Sequence, residues 1–179
     1  MTGERKIERI KDYVTGRELV LDEHEEIRQD IERLLVDERG FDKEDILVNG
    51  RLELSMDGKH EVCRLDLVCH IDGQPAMLLK TARSSIVSRE RETLSAARLA
   101  AGNPIPIAVV TNGEDAEIFD TPSGKIVDRG LDAIPTKKRL AELLKQAKSL
   151  PLSEEKRIGE TRILMAYLSW KCPTECVIE

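Results

Sequence analysis

The chain has 179 residues, of which 40% are hydrophobic, and its formal net charge is -6. This length and apolar content suit one compact domain with an adequate core, so we treat residues 1–179 as a single domain. Two Phe, two Tyr and one Trp offer few platforms for base stacking, and the negative charge opposes nonspecific nucleic-acid binding over the whole surface, which together disfavour readers of single-stranded RNA.

Neither a membrane span nor a signal peptide is visible. No run of about 18 apolar residues occurs, and the first six residues, MTGERK, lack an apolar core. We therefore expect a cytoplasmic protein without a membrane partner, whose four cysteines are thiols.

Cys172 and Cys176 have a spacing that could ligate a metal, but such a site needs two more ligands. Because Cys63 and Cys69 fall in a predicted strand core, unligated thiols are favoured.

The first part of the chain predicts one helix and three strands. Residues 1–21 are mixed in character and predict an extended or partly ordered lead-in. Apolar residues at helical spacing then predict an amphipathic helix from Asp22 to Gly40. A strand over 46–54, interrupted at Asn49-Gly50, is followed by an antiparallel strand over 62–68 and another over 77–80.

The second part predicts a crossover and two C-terminal helices. A helix over 87–101 precedes an apolar strand over 107–110, which should lie parallel to the strand over 77–80. Small edge hairpins follow over 116–120 and 125–127, and helices over 136–149 and 153–171 end the chain. This order indicates an α/β domain with a central mixed β-sheet flanked by helices and a C-terminal helical pair packed on it.

Two strands carry the residues of a candidate site. Strict alternation predicts that Arg64, Asp66 and Val68 share one face of their strand, while Cys63, Leu65, Leu67 and Cys69 share the other. Leu78 and Lys80 share a face of the next strand, so Asp66 and Lys80 become neighbours if the two faces coincide. An acid and a lysine so placed can hold a metal and a nucleophilic water only if a second carboxylate joins them.

These segments together resemble a known family. The resemblance rests on Glu25-Glu26-Ile27-Arg28-Gln29, on Arg64-Leu65-Asp66-Leu67-Val68, on the strand ending in Lys80, and on Val109-Val110-Thr111-Asn112-Gly113. In order and spacing they are similar to the N-terminal domain of type I restriction enzyme R subunits and its free-standing bacterial relatives. The resemblance covers residues 20–135, a nuclease-like core, and leaves 136–179 as a helical extension. It implies the restriction-endonuclease-like fold of PD-(D/E)xK nucleases.

The resemblance also implies site residues. Glu26 matches the acid of the first helix, Asp66 the acid of the first active-site strand, and Lys80 the lysine that closes the second strand. Asp66 and Lys80 would then be catalytic, and Asp66 and Glu26 would bind Mg2+ if the protein is active. The family usually has Glu or Asp two residues before the lysine, where this chain has Leu78. One carboxylate would hold Mg2+ weakly, so hydrolysis is expected to be weak or absent.

Several other acids could replace the one that is missing at Leu78. Glu53 on the neighbouring strand is the best candidate metal ligand, although an exposed edge-strand glutamate is the favoured interpretation. The remaining candidates are Glu61, Glu90 and Glu92. For Asp66 the alternative to a degenerate active site is an ion pair with Arg64 or Lys80. A group of arginines that could contact phosphate is more simply a solvated surface: Arg83, Arg89, Arg91 and Arg98.

Three functions remain open at this point. The first is a nuclease-fold domain with a degenerate active site that retains binding, with DNA as the leading ligand by family analogy. The second is an active Mg2+-dependent DNA endonuclease that uses a displaced carboxylate such as Glu53. The third is a protein-interaction module or homodimer formed through the last two helices, whose final helix is rich in apolar residues: Leu164, Met165, Tyr167, Leu168 and Trp170.

Overall fold

A six-stranded mixed β-sheet forms the centre of the protein. A computed structural model describes residues 8–146 and 151–169. The strands are β1 (Arg9–Lys11), β2 (Glu18–Val20), β3 (Ile46–Met56), β4 (Lys59–Ile71), β5 (Gln74–Thr81), β6 (Ile107–Thr111), β7 (Ala116–Asp120) and β8 (Lys125–Arg129). β1 and β2 form a separate pair, and β3 to β8 follow one another across the main sheet. All neighbours are antiparallel except β5 and β6, which confirms the predicted parallel crossover.

Helices cover both faces of this sheet. They are α1 (Glu23–Arg33), α2 (Glu90–Leu99), α3 (Lys137–Gln146) and α4 (Glu154–Ser169). The α2–α4 core, on one face, includes Leu78, Leu94 and Leu164. The α1–α3 core, on the other face, includes Ile31, Leu79 and Leu140. These layers confirm the predicted restriction-endonuclease-like α/β fold, and the two C-terminal helices cover opposite faces. None of the described helices is long and apolar enough to cross a membrane.

Strand β4 changes the face of the sheet toward which its apolar side chains point. The prediction that Cys63, Leu65, Leu67 and Cys69 share one face is wrong. Cys63 and Leu65 lie in the α2–α4 core, whereas Leu67 and Cys69 lie in the α1–α3 core. The change of face falls at Asp66, which is the residue between the two sets.

The neighbouring strand changes face at the same level. Asn49 of β3 lies between two paired residues and therefore opposite Asp66. Its φ of 53° lies in the left-handed region, which asparagine adopts more readily than most residues. The interruption predicted at Asn49-Gly50 is thus a change of face within one continuous strand. This local conformation overrides the two-residue alternation on which the face prediction rested.

A buried group of charged side chains joins the N-terminal hairpin to α1. We call it the Arg28 cluster: Asp12, Glu25, Arg28 and Glu32. Arg28 is fully buried, and its guanidinium donates to Asp12 Oδ2 at 2.8 Å and to both glutamates. Instead of the predicted lead-in, residues 8–21 form the β1–β2 hairpin, and residues 1–7 lie outside the described range. Because two short strands alone are marginal in water, the hairpin depends on these contacts.

Three carboxyl groups share one guanidinium in the Arg28 cluster. Burial raises the pKa of Glu32 to about 7, against the opposing effect of Arg28 and with a further contribution from Asp12. Burial also acts to raise the pKa of Asp12, but hydrogen bonds from Thr15 and Arg28 outweigh it and lower that pKa. Glu32 therefore gains or loses its proton near neutral pH.

This proton makes stability depend on pH in a specific direction. The pKa of Glu32 is higher in the folded state than its ordinary value of 4.5. Its contribution is therefore complete below pH 4.5 and is lost as the pH rises through about 7. We expect the free energy of unfolding of the wild type, relative to Glu32→Gln, to fall by roughly 3 kcal/mol across this range. Urea unfolding at several pH values measures it, and parallel profiles for the two proteins would contradict it.

A buried carboxylate holds α4 against α2. Glu160 Oε1 accepts a hydrogen bond from Arg98 Nη1 at 2.6 Å, and its Oε2 accepts one from Ser95 Oγ at 2.6 Å. Arg91 Nη2 lies 3.3 Å from the same carboxylate. Burial acts to raise the pKa of Glu160, but the hydrogen bond from Ser95 and the charge of Arg98 outweigh it and lower the pKa. α4 is thus joined to the sheet layer through α2 by charge as well as by apolar packing.

Removing this carboxylate should destabilise the whole fold. Glu160→Ala leaves Arg98 and Ser95 without their partner in a buried position, which costs about 3 kcal/mol in free energy of unfolding. Glu155→Ala is the matched control, because Glu155 is exposed on the same helix and should change stability by less than about 0.5 kcal/mol. Urea unfolding of both variants measures the difference. Equal stability of the two variants would mean that the Glu160 contacts do not hold α4 in place.

Candidate functional site

Asp66 and Lys80 come together at the junction of β4 and β5. The two strands are antiparallel, and the pairing of Leu67 with Leu79 brings the next residues, Asp66 and Lys80, side by side. Asp66 is 1% exposed and Lys80 is 8% exposed. The positive charge of Lys80 acts to lower the pKa of Asp66, and the negative charge of Asp66 acts to raise the pKa of Lys80. The predicted proximity of these two residues is therefore present in the fold.

The Asp66 carboxylate accepts hydrogen bonds from its own strand and from β5, and α1 brings a histidine near it. Its Oδ2 accepts the Thr81 backbone N–H at 2.8 Å and the Thr81 hydroxyl at 3.3 Å. Its Oδ1 accepts from Arg64 Nε at 3.0 Å. His24, on α1, has its Nε2 3.9 Å from Oδ2. These hydrogen bonds occupy both oxygens of the carboxylate.

His24 completes a closed ring of hydrogen bonds. Arg64 Nη2 lies 2.8 Å from His24 Nδ1, so Nδ1 is the acceptor, because guanidinium only donates. The proton of the neutral imidazole then sits on Nε2, which donates to the Thr81 hydroxyl oxygen at 3.0 Å. Burial lowers the pKa of His24, although the charge of Asp66 opposes this. The neutral tautomer required by the ring is thus the form that the environment favours.

The charge of Asp66 persists in this buried position. Burial by itself raises the pKa of a carboxyl group, but the positive charges of Lys80 and Arg64 and the Thr81 N–H outweigh it. The net effect lowers the pKa of Asp66. Asp66 is therefore an anion at neutral pH, and its counter-charges are supplied by the chain itself.

Lys80 is paired with a carboxylate from α2. Its Nζ donates to the Arg64 backbone oxygen at 2.8 Å and lies 3.3 Å from Glu92 Oε1. Burial acts to lower the pKa of Lys80, but the charges of Asp66 and Glu92 outweigh it and raise the pKa. Glu92 also accepts from Arg89 Nη1 at 2.8 Å. We call Arg64, Asp66, Lys80, Arg89 and Glu92 the Asp66 cluster.

Leu78 lies in the hydrophobic core and not at a polar surface. It is 0% exposed and belongs to the α2–α4 core together with Val68 and Leu94. It shares its face of β5 with Lys80, as predicted from alternation. The strand position that would present a second acid beside Lys80 is thus filled by an apolar side chain packed against α2.

The structure does not bring Glu26 or Glu53 to Asp66. Glu26 is exposed, and it lies about 200° around the α1 axis from His24, the α1 residue that reaches Asp66. Glu53 is exposed and is paired across the ladder with Val62. It lies four residues along β3 from the position opposite Asp66, which is roughly 13 Å.

Two residues of the site were not singled out from the sequence. Glu92 was one of several acids considered, and nothing in the sequence distinguished it from Glu61 or Glu90. His24 could have been found, because it continues the apolar stripe of Ile27 and Ile31 toward the sheet at helical spacing. Its side chain contacts β4 and β5 from that stripe.

Three of the four arginines predicted to form a solvated surface make ion pairs with glutamates of the same chain. Arg89 is paired with Glu92, and Arg91 and Arg98 are both paired with Glu160. Arg98 Nε also donates to the Thr121 backbone oxygen at 3.0 Å. Arg83 is exposed in the loop before α2. Arg91 and Arg98 therefore join α2 to α4, and the four arginines do not form one solvated row.

The residues of the Asp66 cluster do not fit a magnesium ion as they are arranged. Mg2+ requires octahedral oxygen coordination, usually with one or two carboxylates in addition to water and substrate phosphates. Within residues 8–146 and 151–169, no three His, Cys, Asp or Glu side chains converge on a point suited to a metal ion. The two carboxylates that are present, Asp66 and Glu92, already have arginine and lysine partners.

The two described cysteines are thiols, and Cys63 lies close enough to Lys80 to act on its charge. Cys63 and Cys69 are buried in separate cores and form no disulfide, and burial raises the pKa of Cys69. Cys172 and Cys176 lie outside the described residues, so the expectation that they are unligated thiols stays a prediction. Trp170, which was counted in the apolar final helix, also lies outside them.

The six-stranded mixed sheet with helices on both faces defines an α/β protein of the restriction-endonuclease-like class. A family model described as the N terminus of the type I restriction enzyme R protein matches residues 23–135. The chain belongs to this family. Searches of curated proteins and of solved structures each returned no match.

The buried charge of Asp66 should matter strongly for stability. Asp66→Asn removes the counter-charge of Lys80 and Arg64, and we expect it to lower the free energy of unfolding by about 3 kcal/mol. Glu53→Gln is the matched control, because Glu53 is an exposed strand residue and should change stability by less than about 0.5 kcal/mol. Denaturant unfolding at pH 7 measures both. A loss for Asp66→Asn as small as that for Glu53→Gln would show that Asp66 is not held by these charges.

Proposed function

We propose that this chain is a nuclease-fold domain that does not hydrolyse DNA and that binds the DNA backbone at the Asp66 cluster. The observation that carries the proposal is the balance of charge in that cluster. Arg64, Lys80 and Arg89 contribute three positive charges, and Asp66 and Glu92 contribute two negative charges. One net positive charge remains where a magnesium-dependent nuclease needs an excess of carboxylate.

Loss of hydrolysis follows from the same arrangement. Leu78 supplies no ligand, and the oxygens of Asp66 accept hydrogen bonds from Thr81 and Arg64. The Arg64 guanidinium supplies the positive charge that a metal ion would supply to Asp66. A divalent cation would have to displace this arginine and would then meet the positive charge of Lys80. Lys80 is itself committed to Glu92 and to a backbone oxygen, so its ammonium group is not available to orient an attacking water.

Backbone binding is supported by the exposure of the two arginines. The side chains of Arg64 and Arg89 are each 46% exposed, whereas Asp66 and Glu92 are 1% and 5% exposed. The two arginines of the cluster thus face solvent, whereas Lys80 and both anions are buried. Arginine matches phosphate in a bidentate manner, so the cluster presents a local positive site on a protein whose net charge is -6. Local fields of this kind act at short range, and binding should weaken as salt rises.

Fluorescence anisotropy with labelled duplex, single-stranded and branched DNA at low salt and with EDTA tests the binding. We expect at least one of these DNAs to bind without metal. Arg64→Gln and Arg89→Gln should each weaken binding by about tenfold, because each removes one charged contact. Arg139→Gln is the matched control, since Arg139 is an exposed arginine on α3, and should leave affinity unchanged. If none of the three DNAs binds, the proposed DNA function is wrong. It is also wrong if Arg64→Gln and Arg89→Gln bind DNA as tightly as the control Arg139→Gln.

A second candidate is an active Mg2+-dependent DNA endonuclease with Glu92 as the displaced carboxylate. The supporting observation is the distance of 3.3 Å between Glu92 Oε1 and Lys80 Nζ. This acid comes from α2 and takes the place that Glu53 held in the sequence-based version of the hypothesis. The present pairing of Asp66 with Arg64 opposes it, because the arginine would have to leave before a metal could enter.

Nicking of supercoiled plasmid in a titration of Mg2+ and Mn2+ separates the two functions. We expect no nicking by the wild type at any metal concentration. Nicking by the wild type that is lost in both Asp66→Ala and Glu92→Gln would establish the second candidate and overturn the first. Circular dichroism of each variant checks that a loss of nicking does not come from unfolding. Nicking that persists in Asp66→Ala would identify a contaminating nuclease, and the preparation would then be repurified before scoring.

A further inference from the structure

We propose that two copies of this chain form a homodimer in which β3 pairs antiparallel with β3 of the second copy, centred on Leu52. The interface adds the two six-stranded sheets edge to edge. It is symmetric, so each residue of β3 meets its counterpart in reverse order. It differs from the dimer predicted through the C-terminal helices, and it does not depend on the proposed DNA function.

The two edges of the sheet differ in a way that favours β3. β8 has five residues, and its pairing with β7 shifts register between Ile118 and Phe119. Short and irregular edges are the usual protection against pairing with another chain. β3 has 11 residues and contains neither proline nor lysine, and the seven residues after the left-handed Asn49, 50–56, pair with β4 without interruption. Within the described residues β3 has a strand partner on one side only, namely β4.

The charged residues of β3 indicate that the strand paired with this edge is β3 of a second copy of the chain. Arg51 and Glu53 flank Leu52, and both are exposed. In the described part of the chain neither side chain has a hydrogen bond or ion pair. Pairing centred on Leu52 places Arg51 of each copy opposite Glu53 of the other, which gives two cross-strand pairs of opposite charge.

Neighbouring registers are disfavoured by the same two residues. In a symmetric antiparallel pair, the centre can move along the strand one residue at a time. A centre at Arg51 places the two arginines opposite each other, and a centre at Glu53 places the two glutamates opposite each other. Like charges directly opposite are destabilising. The sequence of β3 is therefore self-complementary about Leu52.

The opposite face of β3 supports the same centre. Leu52 and Met56 are partly buried and pack against the α2–α4 core, to which Leu54 also belongs. Pairing centred on Leu52 places the two Leu52 side chains opposite each other at the edge of this core. The interface therefore has an apolar face and a charged face, as a two-sided strand pair requires.

Sedimentation velocity of the full chain over a range of concentrations tests the dimer. We expect a species of twice the chain mass of 20.2 kDa that dissociates on dilution. Arg51→Glu and Glu53→Arg should each raise the dissociation constant by about tenfold or more, because each replaces two opposite-charge pairs with two like-charge pairs. Both residues are exposed, and circular dichroism with thermal unfolding verifies that the single variants fold.

The charge-reversed double variant is the decisive measurement. Arg51→Glu combined with Glu53→Arg restores opposite charges across the same symmetric register, so the dimer should return. A wild type that is monomeric at every concentration overturns the proposal. A dimer that survives both single variants places the interface elsewhere, such as on the C-terminal helices, and also overturns it. Failure of the double variant to dimerise when both single variants have lost the dimer rules out the register centred on Leu52.

Discussion

The burial of the Asp66 carboxylate is the constraint on which the arrangement of the site depends. A carboxylate that is 1% exposed stays ionised only with compensating charge and hydrogen bonds, which Thr81, Arg64 and Lys80 provide. Lys80 is itself buried and requires Glu92, which fixes α2 against β5. His24 links the same group to α1. Compensation of one acid therefore joins two strands of the sheet to a helix on each face.

The compensation that stabilises Asp66 also competes with a metal ion. A divalent cation and the Arg64 guanidinium would serve the same carboxylate, and the guanidinium belongs to the chain and is always present at high local concentration. The usual second acid would shift this balance toward metal, but Leu78 is packed in the core instead. The buried anions neutralise only part of the positive charge of the cluster, and the proposed binding of the DNA backbone rests on this balance. The net charge of the whole chain does not reveal this local field.

The predictable features of the fold are those that depend on local pattern. The apolar run over 107–110 and the helix before it were sufficient to predict that β6 lies parallel to β5. Alternation within β5 correctly predicted that Lys80 and Leu78 lie on the same face of the strand. The pairing of β4 with β5 then places Asp66 beside Lys80. The same rule failed in β4, because Asn49 adopts a left-handed conformation opposite Asp66 and both strands change face there. Alternation assumes extended backbone throughout, and one residue outside that region reverses every later assignment.

The sequence by itself determined the layered α/β order, the pairing of Asp66 with Lys80 and the absence of an acid at residue 78, because these follow from residue identity and from periodicities of two and 3.6. Only the tertiary structure decided which residues from distant parts of the chain contact Asp66 and Lys80. Nothing in the sequence distinguishes Glu61, Glu90 and Glu92 as partners of Lys80. The packing of α2 on the sheet brings Glu92 to Lys80. His24 rather than Glu26 reaches Asp66 because the rotation of α1 follows from its apolar stripe and its contacts with β4 and β5. Contacts between residues far apart in the chain depend on how whole elements pack, and local pattern carries little of that information.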